Sequence, residues 1–94
     1  MLIVVVVLMW ELLSFMQGRI RRSTLEALEK GPKTPSNIAH STGEYLSHVS
    51  RALKELTNNE LVECMTPELA KNRFYRITDN GKNVLLQLRK MNDL

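Results

Sequence analysis

Between Leu46 and Leu56 the chain reads Leu-Ser-His-Val-Ser-Arg-Ala-Leu-Lys-Glu-Leu, and at a helical period its side chains divide by character. Leu46, Val49, Leu53 and Leu56 fall on one side, with Ala52 beside them. Ser47, His48, Arg51 and Lys54 fall largely on the other, where no core requires them. The segment is therefore expected to be a helix that rests on a core and turns a small, polar and basic face to solvent. An ordinary amphipathic surface helix has the same pattern, so the flanking segments decide what that face is for.

Upstream, Ile20, Leu25, Ala27 and Leu28 carry a helical pattern from about Ser23, which Gly31-Pro32 stops. Thr34-Pro35-Ser36-Asn37 predicts the next helix start, because threonine caps and a proline at the first helical position gives up no needed hydrogen bond. That short helix carries Ile38 and Ala39 and ends near Thr42-Gly43, where glycine suits the left-handed turn into the helix beginning at Leu46. This third helix runs to about Asn58-Asn59. Residues 61–65 and 73–78 predict two strands, with residues 66–72 joining them as a long hairpin loop. Thr78-Asp79 then caps a last helix striped by Val84, Leu85, Leu88 and Met91. The fold class is mainly α with a small β-hairpin, preceded by an extra apolar element.

A chain of 94 residues makes one small domain with a modest core. Thirteen Lys and Arg against ten Asp and Glu leave +3, an excess that permits nucleic acid without demanding it. Its distribution says more: Arg19, Arg21 and Arg22 cluster in one place, Lys71, Arg73 and Arg76 in another. A single cysteine, Cys64, excludes an intramolecular disulfide and a paired-cysteine metal knuckle, and suits a reducing cytoplasm. Its place in a strand argues for a small core residue rather than a redox sensor. There is no Ser/His/Asp arrangement, paired carboxylate, glycine-rich phosphate loop or metal spacing, so neither an enzyme nor a cofactor is expected.

Helix, glycine-containing turn, helix and basic hairpin, in this order, form the winged helix-turn-helix arrangement. The residues that carry it are Thr34 to Ala39, Thr42-Gly43, Val49 to Leu56, Leu61-Val62-Glu63, Tyr75 to Thr78 and Gly81. Over roughly residues 19–92 the chain resembles the small archaeal and bacterial transcriptional regulators of the ArsR/MarR-like winged-helix group. The resemblance implies that the helix from Leu46 reads DNA, that the hairpin wing touches the adjacent groove or backbone, and that the protein acts as a dimer. It implies base readout by Ser47, His48 and Arg51, with Arg51 placed to pair with a guanine. Ser50 and Lys54 would meet phosphate, Thr34 and Ser36 would form a second phosphate clamp with the amides of their helix start, and Lys71, Asn72 and Arg73 would complete the footprint from the wing. One departure is informative. Metal-sensing ArsR-like relatives hold a Cys-x-Cys set on the reading helix, and this chain has none.

Several of these residues also have plainer roles. His48 on an exposed face can be an idle surface histidine, His40 merely ends its helix, and Tyr45 packs or caps the turn. Arg73 and Arg76 alternate along a strand, so one can sit on a solvated sheet face. Lys54-Glu55 can be routine surface charge.

The run from Met1 to Trp10 is almost purely aliphatic, and Leu12, Leu13, Phe15 and Met16 extend its apolar pattern past Glu11. Four consecutive valines favour a strand, whereas the pattern from Leu8 to Met16 favours a helix, expected here from about Val5 to Gln17. A membrane tether through residues 1–18 is short of the ~20 residues a span needs, although Arg19, Arg21 and Arg22 would supply its basic flank. A cleaved leader lacks the basic residues that should precede the run. Met9 could be the true translation start, with residues 1–8 an upstream artefact. The reading adopted is a dimerisation segment over residues 1–18, joined to a DNA-binding domain over residues 19–94. The expected whole is a cytoplasmic, homodimeric, sequence-specific binder of double-stranded DNA. The rival readings are a winged helix used for protein contacts and a membrane-tethered regulator.

Overall fold

The computed structural model describes residues 2–92, without the side chains of residues 2–6, 9 and 92. Expectations that fall on Met1, on those side chains and on residues 93–94 lie outside the described residues. Five helices and one hairpin follow in the order α1 (Leu2–Phe15), α2 (Arg19–Ala27), α3 (Pro35–Thr42), α4 (Leu46–Asn58), β1 (Val62–Cys64), β2 (Tyr75–Ile77) and α5 (Asp79–Asn92).

The N-terminal run is helical, three residues earlier than its pattern suggests, valines included. A lone strand there would leave its backbone groups without partners, whereas a helix satisfies them within itself and overrides the local β preference. Its second half does core work. Leu13 and Met16 are buried, with Leu12 and Phe15 packed against the same cluster.

The cluster is completed by Leu25 and Leu28 of the α2 region, Ile38 of α3, Val49, Leu53 and Leu56 of α4, Leu61, Val62 and Ile77 of the hairpin, and Val84, Leu85 and Leu88 of α5. This is one core, seamed through every element. Helix α2 begins at Arg19 rather than near Ser23, which makes the basic cluster its first turn.

Three local devices set the angle of α4. Thr34 caps α3: its hydroxyl accepts from the Asn37 amide at 3.2 Å and donates to the Asn37 side-chain oxygen at 2.8 Å. Gly43, at φ +75°, makes the left-handed exit from α3, and its amide donates to the Ala39 carbonyl at 3.0 Å. At its far end α4 closes with a reciprocal pair, Leu61 N–H to Leu56 carbonyl at 3.0 Å and Glu60 N–H to Thr57 carbonyl at 3.0 Å. Glu60 occupies the left-handed position, φ +61°, that glycine more often takes.

The hairpin is antiparallel, with Val62 opposite Ile77, Glu63 opposite Arg76 and Cys64 opposite Tyr75. Its strands are shorter than expected, because residues 65–74 form the loop rather than 66–72. Lys33 adds a bridge to Tyr75 on the other side of β2, two backbone hydrogen bonds of 3.1 and 2.9 Å that tie the segment before α3 to the sheet. Thr78 caps α5 by accepting from the Gly81 amide at 3.1 Å. Gly81 itself packs on the hairpin base. A Cβ there would lie 2.3 Å from the Leu61 carbonyl oxygen and 2.7 Å from Ile77, so only glycine allows this contact.

Candidate nucleic-acid interface

Helix α4 buries Val49, Ala52, Leu53 and Leu56 as its period requires. Leu46 departs from that expectation. It is the first helical residue, stands outside the buried cluster, and is 50% exposed. Ser47, His48, Ser50, Arg51 and Lys54 are also exposed. Ser47, Ser50, Arg51 and Lys54 stand at i, i+3, i+4 and i+7, so they share one face.

His48 lies to one side of that face. It lines, with Arg51, Ala52, Glu55, Gly18 and Ile20, a cleft of about 350 Å³ between the start of α2 and α4. Tyr45, at the N-cap of α4, makes no capping hydrogen bond and is exposed. Its ring meets the His48 ring edge-on, with centroids 5.6 Å apart. Its role is thus contact with His48 on the surface rather than capping of the turn.

The arginines separate into two kinds. Arg19 pairs with Glu44 at 3.4 Å, Arg22 with Glu26 at 3.8 Å, and Arg76 with Glu63 across the sheet at 2.8 Å. Arg89 of α5 reaches Glu29 at 2.8 Å and Glu26 at 3.5 Å. Arg21 is the most heavily engaged. Its Nε donates to Glu55 at 2.9 Å, its Nη2 donates to the same carboxylate, its Nη1 donates to the Phe15 carbonyl at 3.1 Å, and its guanidinium stacks 4.2 Å above the Phe15 ring. One side chain thereby joins the end of α1 to α2 and α4. Arg51 and Lys54 have no hydrogen bond or ion pair among the described residues. A helix whose inward carboxylate is neutralised and whose outward cations are unpaired offers a face for an external anion.

The wing residues Lys71, Asn72 and Arg73 are exposed in the loop between β1 and β2. Asn72 holds a left-handed conformation, φ +55°, and the Arg73 Nε donates back to the Leu69 carbonyl. Arg73 thus orders the loop with one nitrogen and keeps the rest of its fork outward. Ser36 is exposed on the first turn of α3. Thr34 is only 9% exposed, and its hydroxyl is fully used in the cap. Of the pair expected to clamp phosphate, Ser36 presents a side chain and Thr34 presents its helix start alone.

Cys64 is half-buried at the end of β1, rather than inside the core. Met91 in the last turn of α5 is likewise exposed. Sequence pattern also missed Arg21 and Leu46. Arg21 lies 34 residues from Glu55, and no local spacing marks that pairing. Leu46 sits in the apolar register, and only its place at the helix tip exposes it.

No protein-family model and no curated protein matches the chain. Solved structures do. A MarR family transcription regulator superposes with a TM-score of 0.69 at 26% identity, over 79% of this chain and 50% of its own. YodB from B. subtilis, in its diamide-treated form, gives 0.78 at 25% identity, over 88% of this chain and 84% of its own. BldR from Sulfolobus solfataricus, a transcriptional regulator, gives 0.67 at 22% identity over 76% of this chain and 52% of its own, a likeness of fold. The chain spans about half the length of the first and third, and most of the second. These neighbours are transcription regulators. The winged helix-turn-helix expected from the sequence is the fold observed.

Proposed function

We propose that this chain is a cytoplasmic transcriptional regulator that binds duplex DNA sequence-specifically as a homodimer. The observation that carries the reading is the exposed face of α4, where Arg51 and Lys54 stand without partners beside Ser47 and Ser50. In a major groove, Ser47, His48 and Arg51 would meet base edges, Arg51 forking onto a guanine, while Ser50 and Lys54 would meet phosphate. Ser36 with the start of α3, and Lys71, Asn72 and Arg73 on the wing, would fix the register on the backbone. The winged-helix regulators that superpose on the chain support the same partner.

The dimer reading draws on α1 and α5, which pack together and expose apolar side chains. Val7, Leu8 and Trp10 on α1, with Trp10 63% exposed, and Leu86 and Met91 on α5 are exposed apolar side chains that a second copy would cover. A membrane span is not favoured. No helix among the described residues is long and apolar enough to cross a bilayer.

Selection from a random duplex library tests the DNA reading: enrichment of one roughly two-fold-symmetric site supports it, and an unenriched library rejects it. Sedimentation of the full chain beside a chain beginning at Met9 tests the dimer. A monomeric full chain at micromolar concentration rejects it. A dimer that survives the truncation moves the interface to residues 10–16 and α5.

A further inference from the structure

We infer that Leu46 reads the 5-methyl group of a thymine, making it a specificity-determining residue of the interface. The inference rests on the proposal that α4 enters a major groove. Leu46 belongs by register to the apolar side of α4, yet it is half exposed and stands outside the buried cluster that Val49, Leu53 and Leu56 join. It is the first residue of the helix, so it leads the tip that follows the Gly43 turn. Beside it the side chains at positions 47 and 50 are serines, too short to hold a leucine away from what lies opposite. The cations Arg51 and Lys54 lie one and two turns further along.

The chemistry of the groove selects the occupant. Every base pair presents hydrogen-bond donors and acceptors to the major groove, but the thymine C5-methyl is the one apolar group there. A leucine pressed on donors and acceptors would strip their water and return no hydrogen bond, which weakens binding. Pressed on a thymine methyl, it removes apolar surface from water on both partners. The tip of α4 therefore specifies an apolar contact at one base position, and Arg51 a polar one further along the same helix.

The test replaces each thymine of the selected duplex in turn by deoxyuridine, which deletes one methyl group and changes nothing else. For the wild-type chain, one position should lose about fourfold in affinity, the worth of one buried methyl. In Leu46→Ala the same replacement should be neutral, because the partner of the methyl is gone. The uracil scan on the wild-type chain needs no variant, so it stands even if Leu46→Ala folds poorly. A selected site bound equally well with uracil at every position, or one that requires no thymine, overturns the inference and leaves the DNA-binding reading intact. An undiminished uracil penalty in Leu46→Ala overturns it by assigning the methyl to another residue. Failure to bind any duplex overturns the DNA-binding reading itself, a different and separable result.

Discussion

Two basic regions of this small fold differ in what their cations meet. The first turn of α2 carries Arg19, Arg21 and Arg22, and each has a carboxylate partner. The outward face of α4 carries Arg51 and Lys54, and neither has one among the described residues. A cluster of positive charge is thus no measure of an interface. An arginine that already bonds a carboxylate must give up that bond before it can serve an outside anion, whereas an unpaired one need only shed water. In the denser cluster Arg21 is a structural clamp joining α1, α2 and α4, and the sparser set is the face that remains available.

The largest effect expected from this contrast is at Arg21. Arg21→Ala removes charge-assisted bonds to Glu55, the bond to the Phe15 carbonyl and the stack on Phe15, and leaves the half-buried Glu55 carboxylate unpaired. At about 1.5–3 kcal/mol for a hydrogen-bonded charge, plus a smaller cation–π part, we expect a loss of about 2–3 kcal/mol in a urea titration. A change below about 0.5 kcal/mol would make the α2 cluster surface charge and erase the contrast.

Arg51→Ala should do the reverse. Stability should stay within about 0.5 kcal/mol, because the side chain is exposed and unpaired. Affinity for the selected duplex should fall by about 1–3 kcal/mol, with preference relaxed at one base position. Unchanged affinity at low salt removes α4 as the reading helix. Lys71→Ala on the wing sharpens the comparison further: it should weaken all duplexes alike and reduce the steepness of the salt dependence by about one unit, measured by titration over a series of salt concentrations.

Which of these features can be read in sequence follows from the range of the interactions that make them. The α3 start at Thr34-Pro35, the Gly43 turn and the buried stripe of α4 arise from contacts within a few residues, and local pattern shows them. The hairpin ends were less legible, since strand length depends on pairing across the sheet and the loop takes in residues 65–74. The Arg21–Glu55 clamp, the Lys33–Tyr75 bridge and the close seat of Gly81 on Leu61 are tertiary, and no periodicity announces them. Leu46 shows the subtler failure. Register assigned it to the core, but a helix tip extends beyond the core it rests on, and an apolar residue there meets solvent or a partner.

The smallest expected effect tests whether a paired arginine always matters. Arg89 of α5 joins Glu29 and Glu26 of the α2 region, but all three groups are substantially solvated. Arg89→Ala should therefore cost only about 0.2–1 kcal/mol at neutral pH and leave DNA affinity unchanged. The pH dependence identifies the cause. Hydrogen bonding to Arg89 holds the Glu29 carboxyl below its usual 4.5. A depressed acid contributes stability that is fully present above the unfolded value and is lost as pH falls through the folded one. Arg89 is shifted upward by the same partner, so it stays charged throughout this range. The stability difference between the wild-type chain and Arg89→Ala should hold steady from pH 7 to about 5, then narrow below 4.5 and close once Glu29 is protonated in both states. A difference that persists unchanged in acid would show that the arginine acts through its aliphatic stem and not through its charge.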